Sequence, residues 1–272
     1  MVAKSDAITF IGAGNMATAL IEGLLASGTC QPDAITATDV RTDALAALKE
    51  RLGIHTASHN DHAVRQARCV VIAVKPQQVV DVLTEFAPHL PKEAVVVSIA
   101  AGVRLQTLAE KLPPQTAIVR AMPNTPALVR QGATAVAAGA FASEADLMLA
   151  RRLFDSVGLC VKVREEALDA VTALSGSGPA YTFRFIEILI QGGVAAGLSA
   201  DTAHTLALQT VLGAAQLLRV TGKSPETLRN EVTSPGGTTL AGLDALAHHG
   251  FEASVLAALS AAEQRSRELG KR

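Results

Sequence analysis

Gly12-Ala13-Gly14-Asn15-Met16-Ala17 forms a G-x-G-x-x-A run directly after the apolar stretch Ala7–Ile11. That spacing suits a strand, a tight turn and a helix start. Gly12 serves the turn, Gly14 leaves room for a pyrophosphate against the backbone, and Ala17 lets helix and strand pack closely. The first N–H groups of the helix lack partners of their own and carry the positive end of its dipole toward the phosphates. The run therefore predicts a dinucleotide site. Asp39 stands 22 residues beyond Ala17, after the stretch Ala34–Thr38. A carboxylate there accepts ribose hydroxyls, which favours NADH. Arg41 offers a guanidinium to a 2′-phosphate, which favours NADPH. Both residues also suit plain charges at a helix entry, so the sequence leaves the cofactor open between NADPH and NADH.

Two further junctions belong to the same cleft. Val74-Lys75-Pro76 closes the apolar run over 70–74, and Ala100-Ala101-Gly102 closes the run over 94–99. Open α/β sheets bind ligands at the carboxyl ends of their strands. Lys75 is read as a contact to the ribose or nicotinamide side of the cofactor, or else as a solvated cap ahead of Pro76. A second group of donors lies far downstream in Ser234-Pro235-Gly236-Gly237-Thr238-Thr239. Pro235 favours a helix start, the glycines permit close backbone approach, and the N–H groups of Gly237, Thr238 and Thr239 form an anion site. The hydroxyls of Ser234, Thr238 and Thr239 add donors. Ordinary capping of a surface helix is the alternative. Because the first turn already serves cofactor phosphates, a second anion site implies a second anionic ligand.

The elements that hold these residues follow from hydrophobic patterning. Apolar runs recur at Ala7–Ile11, Ala34–Thr38, Val70–Val74, Ala94–Ile99, Ala117–Ala121 and Thr134–Ala138. They are rich in Val, Ile and Thr, as strands covered on both faces of a parallel sheet must be. Helical segments at Met16–Ser27, Thr42–Leu52, Gln77–Ala87 and Leu105–Leu112 separate the earlier ones, with Thr42 as an N-cap. The alternation predicts an α/β, Rossmann-like, doubly wound domain over residues 1–164. An all-helical region follows over 165–272, with helix starts at Ser177-Gly178-Pro179, near Ala200, at Ser224-Pro225, after Gly237 and at Glu252. Between Phe185 and Leu218 the only acidic or basic residues, His204 aside, are Glu187 and Asp201. Helices apolar on all sides must be covered on all sides, and a helical dimer interface does this better than packing within one chain.

Composition removes other classes. The 24 Lys+Arg and 25 Asp+Glu leave a net charge of −1, so nucleic acid is not expected as a partner. Hydrophobic residues at 49% exclude a disordered chain. Cys30, Cys69 and Cys160 form no CxxC pair and read as buried hydrophobes in a reducing compartment. The histidines show no HxH or HExxH spacing, so no metal site is expected. Met1–Asp6 has no apolar signal core, and no apolar stretch of about 18 residues runs uninterrupted. A soluble cytoplasmic chain without a membrane partner is expected.

The chain resembles the pyrroline-5-carboxylate reductase family in Phe10–Ala17 (FIGAGNMA), Ala73–Pro76 (AVKP), Ser98–Val103 (SIAAGV), Arg120–Leu128 (RAMPNTPAL), Leu174–Tyr181 (LSGSGPAY) and Val232–Thr239 (VTSPGGTT). The resemblance spans nearly the whole chain in the family's order. It implies NAD(P)H-dependent reduction of a cyclic imine, L-1-pyrroline-5-carboxylate, to L-proline. It implies a homodimer through the helical domain, and members often form rings of dimers. It puts Ala13, Asn15 and Met16 at the pyrophosphate, Asn60 near the adenosine, and Val74, Lys75 and Ala101 along the cofactor. Pro123, Asn124 and Thr125 line the nicotinamide side, and Ser234, Gly237, Thr238 and Thr239 hold the substrate. Thr239 is the candidate to orient the imine nitrogen or relay its proton. Some members carry Ser or Thr where Asp39 stands, so a family preference for NADPH does not transfer. Hydroxyacid dehydrogenases with a helical second domain place a catalytic lysine shortly after a Gly-x-Gly; here Gly176-Ser177-Gly178 is followed by no lysine until Lys223.

Overall fold

The computed structural model describes residues 7–270; Met1–Asp6, where the absence of a signal core was read, lie outside the described residues. Eight strands form one sheet in the order β3-β2-β1-β4-β5-β6-β7-β8. They are β1 (Ile8–Ile11), β2 (Ile35–Thr38), β3 (His55–Ala57), β4 (Cys69–Ile72), β5 (Val95–Ser98), β6 (Ala117–Met122), β7 (Gly132–Ala138) and β8 (Gly158–Lys162). Strands β3 through β6 pair in parallel, and the chain order reverses beside β1, between β2 and β4. That reversal is the switch point at which open sheets bind ligands.

The sheet is doubly wound because its strands are apolar on both faces. Phe10, Val71, Val97 and Val119 face one core with α1 (Asn15–Ala26), α2 (Thr42–Leu52) and α6 (Glu144–Asp155). Val70, Ile72, Val96 and Ile118 face the other with α3 (Asn60–Val64), α4 (Val79–Phe86) and α5 (Leu105–Lys111). Period-two alternation thus sends neighbouring residues of one strand into two cores, each filled side chain contributing about 1.5–3 kcal/mol.

Several details differ from the sequence reading. The sheet is not wholly parallel: β7 runs antiparallel to β6, and β8 then runs parallel to β7. The link over 123–131 is too short for a parallel crossover, which takes about a dozen residues or more. Strands β3 and β8 lie at the two sheet edges, half exposed and partly polar, so neither makes the continuous apolar run that marks the others. Thr42 is not the N-cap of α2 but its first residue. Arg41 takes the cap position with extended backbone, and its N–H is accepted by Asp39 Oδ1 at 2.9 Å. An acid two residues back supplies the turn that a capping hydroxyl would otherwise make.

Contacts divide the chain into two compact units, one running through Ser177 and joined by the segment from Ala262, the other Gly178–Ala261. By contacts the break falls at 177/178; the boundary read from sequence, by the change in patterning, is 164/165. Glu165 Oε1 accepts from Arg120 at 3.0 Å and from the Leu105 N–H at 2.7 Å, and Leu168 of α7 (Leu168–Val171) is buried beside Ala135 and Ala137. These bonds tie 165–177 to the sheet unit.

The second unit holds α8 (Gly178–Ala195), α9 (Ala200–Thr221), α10 (Pro225–Glu231), α11 (Thr238–His248) and the first part of α12 (Phe251–Leu269). Ser199 and Ser224 cap α9 and α10 by accepting the N–H groups of Thr202 and Thr227. Within Gly178–Ala261 the buried side chains are Ala203 and Ala207. Among the described residues no helix is long and apolar enough to cross a membrane.

Candidate functional site

The turn after β1 sorts its N–H groups by use. Gly12 donates to the Thr38 carbonyl at 2.9 Å and Ala13 to Asp39 Oδ2 at 2.8 Å, so both are spent on tying the turn to β2. Gly14 is the N-cap of α1, and Asn15 and Met16 open its first turn. The N–H groups at that helix start are the ones left to meet an anion. Gly12 has φ +99°, and a Cβ there would lie 2.8 Å from the Ala73 carbonyl oxygen; a Cβ on Gly14 would meet nothing. The first glycine is required by the backbone, the second by the open space in front of it.

A cleft of about 750 Å³ lies over this turn, at the carboxyl ends of β1, β2 and β4. Gly12, Gly14, Asn15 and Met16 line it from the turn after β1, Asp39, Arg41 and Asn60 from the segments after β2 and β3, and Val74, Lys75, Pro76 and Ala101 from those after β4 and β5. Met122, Pro123 and Thr125 extend it. Strand β4 stops at Ile72, two residues before the expected end, and frees Val74 to line the cleft. Lys75 is exposed, and its N–H is accepted by Gln78 Oε1 at 3.3 Å, which fixes the backbone ahead of Pro76. A dinucleotide fits this chemistry: unspent N–H groups at the helix start, apolar lining from Val74, Pro76 and Ala101, and polar groups from Asp39, Arg41 and Asn60.

Two expected cofactor residues sit differently. Ala13 is 5% exposed, does not line the cleft, and its N–H is held by Asp39. Asn124 also stays out of the cleft: its Nδ2 donates to the Ser175 carbonyl at 3.0 Å, and its Oδ1 accepts the Ala133 N–H at 2.8 Å. Its amide joins the start of β7 to the turn over 172–176.

Asp39 is 10% exposed at its side chain, and Arg41 is 58% exposed. Burial works against the Asp39 charge, but the hydrogen bonds from the Arg41 side chain, the Arg41 N–H and the Ala13 N–H hold its carboxyl below the usual carboxylate range. Asn60 is fixed from two sides. Its Oδ1 accepts from Thr38 Oγ1 at 2.6 Å, and Glu85 of α4 accepts its N–H at 3.0 Å and its Nδ2 at 2.7 Å. Glu85 lines the cleft too and was not singled out in the sequence. No motif marks it; only the fold brings α4 beside the start of α3.

Glu85 also belongs to a group with His59 and Asp61 whose ligand-type atoms lie within 4.8 Å of one another. Spacing rules for adjacent ligands pass over it because Glu85 comes from a different segment than His59 and Asp61. Both Glu85 oxygens are already engaged by Asn60.

The downstream donor segment lies in the helical unit. Ser234-Pro235-Gly236-Gly237 is a β-turn closed by the Gly237 N–H to the Ser234 carbonyl at 3.0 Å, with Gly236 at φ +68°. Proline at the second and glycine at the third place suit a type II turn. Pro235 thus makes the turn before the helix rather than the helix start, and the Gly237 N–H is not a free donor. Gly237 is the N-cap of α11, and Thr238 and Thr239 are its first two residues, both exposed. Their N–H groups have no partner within the helix.

A doubly wound sheet with a pyrophosphate turn at its switch point, followed by a helical unit, defines a Rossmann-type NAD(P)-dependent oxidoreductase. Residues 7–102 match the family model described as NADP oxidoreductase coenzyme F420-dependent, and residues 165–269 match that for pyrroline-5-carboxylate reductase dimerisation. A pyrroline-5-carboxylate reductase of Methanosarcina acetivorans is 42% identical over 269 residues, covering 99% of this chain and 100% of the relative. One from Pisum sativum is 44% identical over 269 residues, covering 99% and 98%. The solved structure of a pyrroline-5-carboxylate reductase from Coxiella burnetii superposes with a TM-score of 0.94 at 40% identity, covering 98% of this chain and 100% of that one. The chain belongs to the pyrroline-5-carboxylate reductase family.

Proposed function

We propose that this protein reduces L-1-pyrroline-5-carboxylate to L-proline, the last step of proline biosynthesis, with NADPH or NADH. The observation that carries this is the second set of anion donors at the start of α11, in a different unit from the pyrophosphate turn. A cofactor needs one such site; a carboxylate-bearing substrate needs the other. Full-length relatives named for this activity agree with it. A structure of the Plasmodium falciparum pyrroline carboxylate reductase has NADP bound, and it superposes with a TM-score of 0.87 at 30% identity over 98% of this chain.

A reduced nicotinamide, when bound, supplies the hydride. The chain's residues bind and orient. Asn15 and Met16 receive the pyrophosphate on their N–H groups, with Gly14 giving access. Arg41 and Asn60 hold the adenosine end, and Val74, Lys75, Pro76 and Ala101 hold the cofactor along the cleft. Pro123 and Thr125 border the nicotinamide end, and Asn124 supports them from behind. Thr238, Thr239 and the Ser234 hydroxyl bind the substrate carboxylate. A cyclic imine takes its proton from water near neutral pH, so positioning does most of the work. The Thr239 hydroxyl orients the imine nitrogen or relays that proton.

Residues 1–164 serve the cofactor, and 165–272 serve the substrate and the partner subunit. The working unit is a homodimer, with a ring of dimers as its larger assembly, in the cytoplasm. The test is consumption of NADPH and NADH by the purified protein with pyrroline-5-carboxylate, beside a 3-hydroxyacid with the oxidised cofactors. Turnover with the imine is expected. Turnover with the hydroxyacid alone would overturn the assignment.

A further inference from the structure

The Asp39 carboxylate has no acceptor capacity left for a ribose. A carboxylate offers about four lone-pair directions. Oδ2 accepts from the Ala13 N–H at 2.8 Å and from Arg41 Nη2 at 3.2 Å. Oδ1 accepts from the Arg41 N–H at 2.9 Å and from Arg41 Nε at 3.1 Å. Each oxygen therefore takes one backbone and one guanidinium donor. The side chain is only 10% exposed, so a ribose diol reaching for it would have to break one of these bonds.

Arg41 has the opposite standing. Asp39 occupies one edge of its fork, through Nε and one hydrogen of Nη2. A guanidinium carries five N–H donors, so Nη1 and the rest of Nη2 remain. The side chain is 58% exposed and lines the cleft beside Asn60. Arg41 is also the N-cap of α2, so its backbone is fixed as well as its fork. Asp43, in the first turn of α2, is the other acid whose charge acts on it. A guanidinium held by a carboxylate on one edge and open on the other is preorganised for a phosphate, whose planar two-oxygen face it matches.

We infer that Asp39 is a positioning residue, and that it aims Arg41 at a ribose 2′-phosphate, so that this chain selects the 2′-phosphorylated dinucleotide. This reverses the usual role of an acid at the end of the second strand, which is to accept the ribose hydroxyls and exclude the phosphate. The inference rests on the reading of the cleft as the dinucleotide site.

The test is calorimetric binding to the full chain of 2′,5′-ADP and 5′-ADP, then of NADP⁺ and NAD⁺, without turnover. Wild type should bind each 2′-phosphorylated ligand at least about tenfold tighter than its partner, the scale of one or two charged hydrogen bonds. Arg41→Ala should remove that margin, weakening NADP⁺ and 2′,5′-ADP far more than NAD⁺ and 5′-ADP. Arg41→Lys, which keeps the charge without the fork, should restore part of it. Asp39→Asn should weaken NADP⁺ several-fold more than NAD⁺, because a carboxamide no longer anchors the fork. Equal wild-type affinity for both members of each pair would overturn the inference. So would Asp39→Asn weakening NAD⁺ while sparing or improving NADP⁺, the signature of a ribose acceptor. Wild type binding none of the four would instead sink the cofactor reading beneath it.

Discussion

Gly14 has an ordinary backbone, φ −77°, and open space where a side chain would stand. Gly14→Val therefore leaves the turn folded and fills the pyrophosphate position. Calorimetry should show NADPH and NADH binding lost while thermal unfolding is little changed; unchanged affinity would remove the turn from the site. Gly12→Ala is the contrasting case, since φ +99° and the Ala73 carbonyl both oppose a Cβ. It should cost about 1–3 kcal/mol of stability by denaturant titration. Thr239→Val keeps shape and removes a hydroxyl. It should lower kcat/KM by roughly 10- to 100-fold and leave cofactor affinity alone, the loss of one hydrogen bond to a charged group. A wild-type kcat/KM would mean the hydroxyl plays no part. At this scale the sequence was legible wherever a motif fixes the backbone, as at Gly12–Ala17. It was not legible where a side chain spends its hydrogen bonds on distant partners: Asn124 reaches Ser175, and Asn60 reaches Glu85.

Helix α6 shows how an element is held. Asp146 Oδ2 accepts the Ser143 N–H and hydroxyl, the Ser143 hydroxyl accepts the Asp146 N–H, and Arg68 Nη2 donates to Asp146 Oδ1 at 2.6 Å. A capping box and an ion pair thus meet on one carboxylate and fasten α6 to the segment entering β4. Burial opposes its charge, but the bonds from Ser143 and Arg68 outweigh that and hold the Asp146 carboxyl below the usual carboxylate range. Asp146→Asn should destabilise by about 1–3 kcal/mol at neutral pH. Because the folded value is the lower one, the stabilisation is present above the unfolded value and fades as pH falls through the folded one. The gap between wild type and variant in denaturant titrations should therefore close below about pH 4; a gap that persists there would assign the loss to packing. Element by element, the interior strands were readable because double burial makes them uniformly apolar. Strands β3 and β8 were not, since each lies at an edge and keeps exposed residues, as Leu159 and Val161 do. The direction of β7 was equally hidden, because it depends on the length of the link before it.

At the scale of the molecule, the helical unit lacks a core of its own. Its buried side chains are two alanines, while Leu206, Leu212 and Leu217 are 54%, 60% and 48% exposed. The scarcity of charge between Phe185 and Leu218 pointed to this from sequence alone. Sedimentation at low micromolar concentration should find a dimer, and a stable, active monomer would contradict the reading. The midpoint of thermal unfolding should also rise with protein concentration, since assembly stabilises by mass action. The place where contacts divide the chain was less legible, because Glu165 and Leu168 read as the beginning of the helices yet bond to the sheet unit.

Cys30, Cys69 and Cys160 are all buried, all lie in the sheet unit, and Gly178–Ala261 contains no cysteine. Burial and the nearby Asp155 push the Cys160 thiol up to about 12, so at neutral pH it is not the thiolate that alkylating reagents require. The molecule thus carries a reporter that speaks for one half only. Alkylation by iodoacetamide counts openings of the nucleotide-binding half and is silent toward fraying of the helices. A subunit that dissociates with its sheet intact stays unlabelled, whereas one whose sheet opens becomes permanently marked.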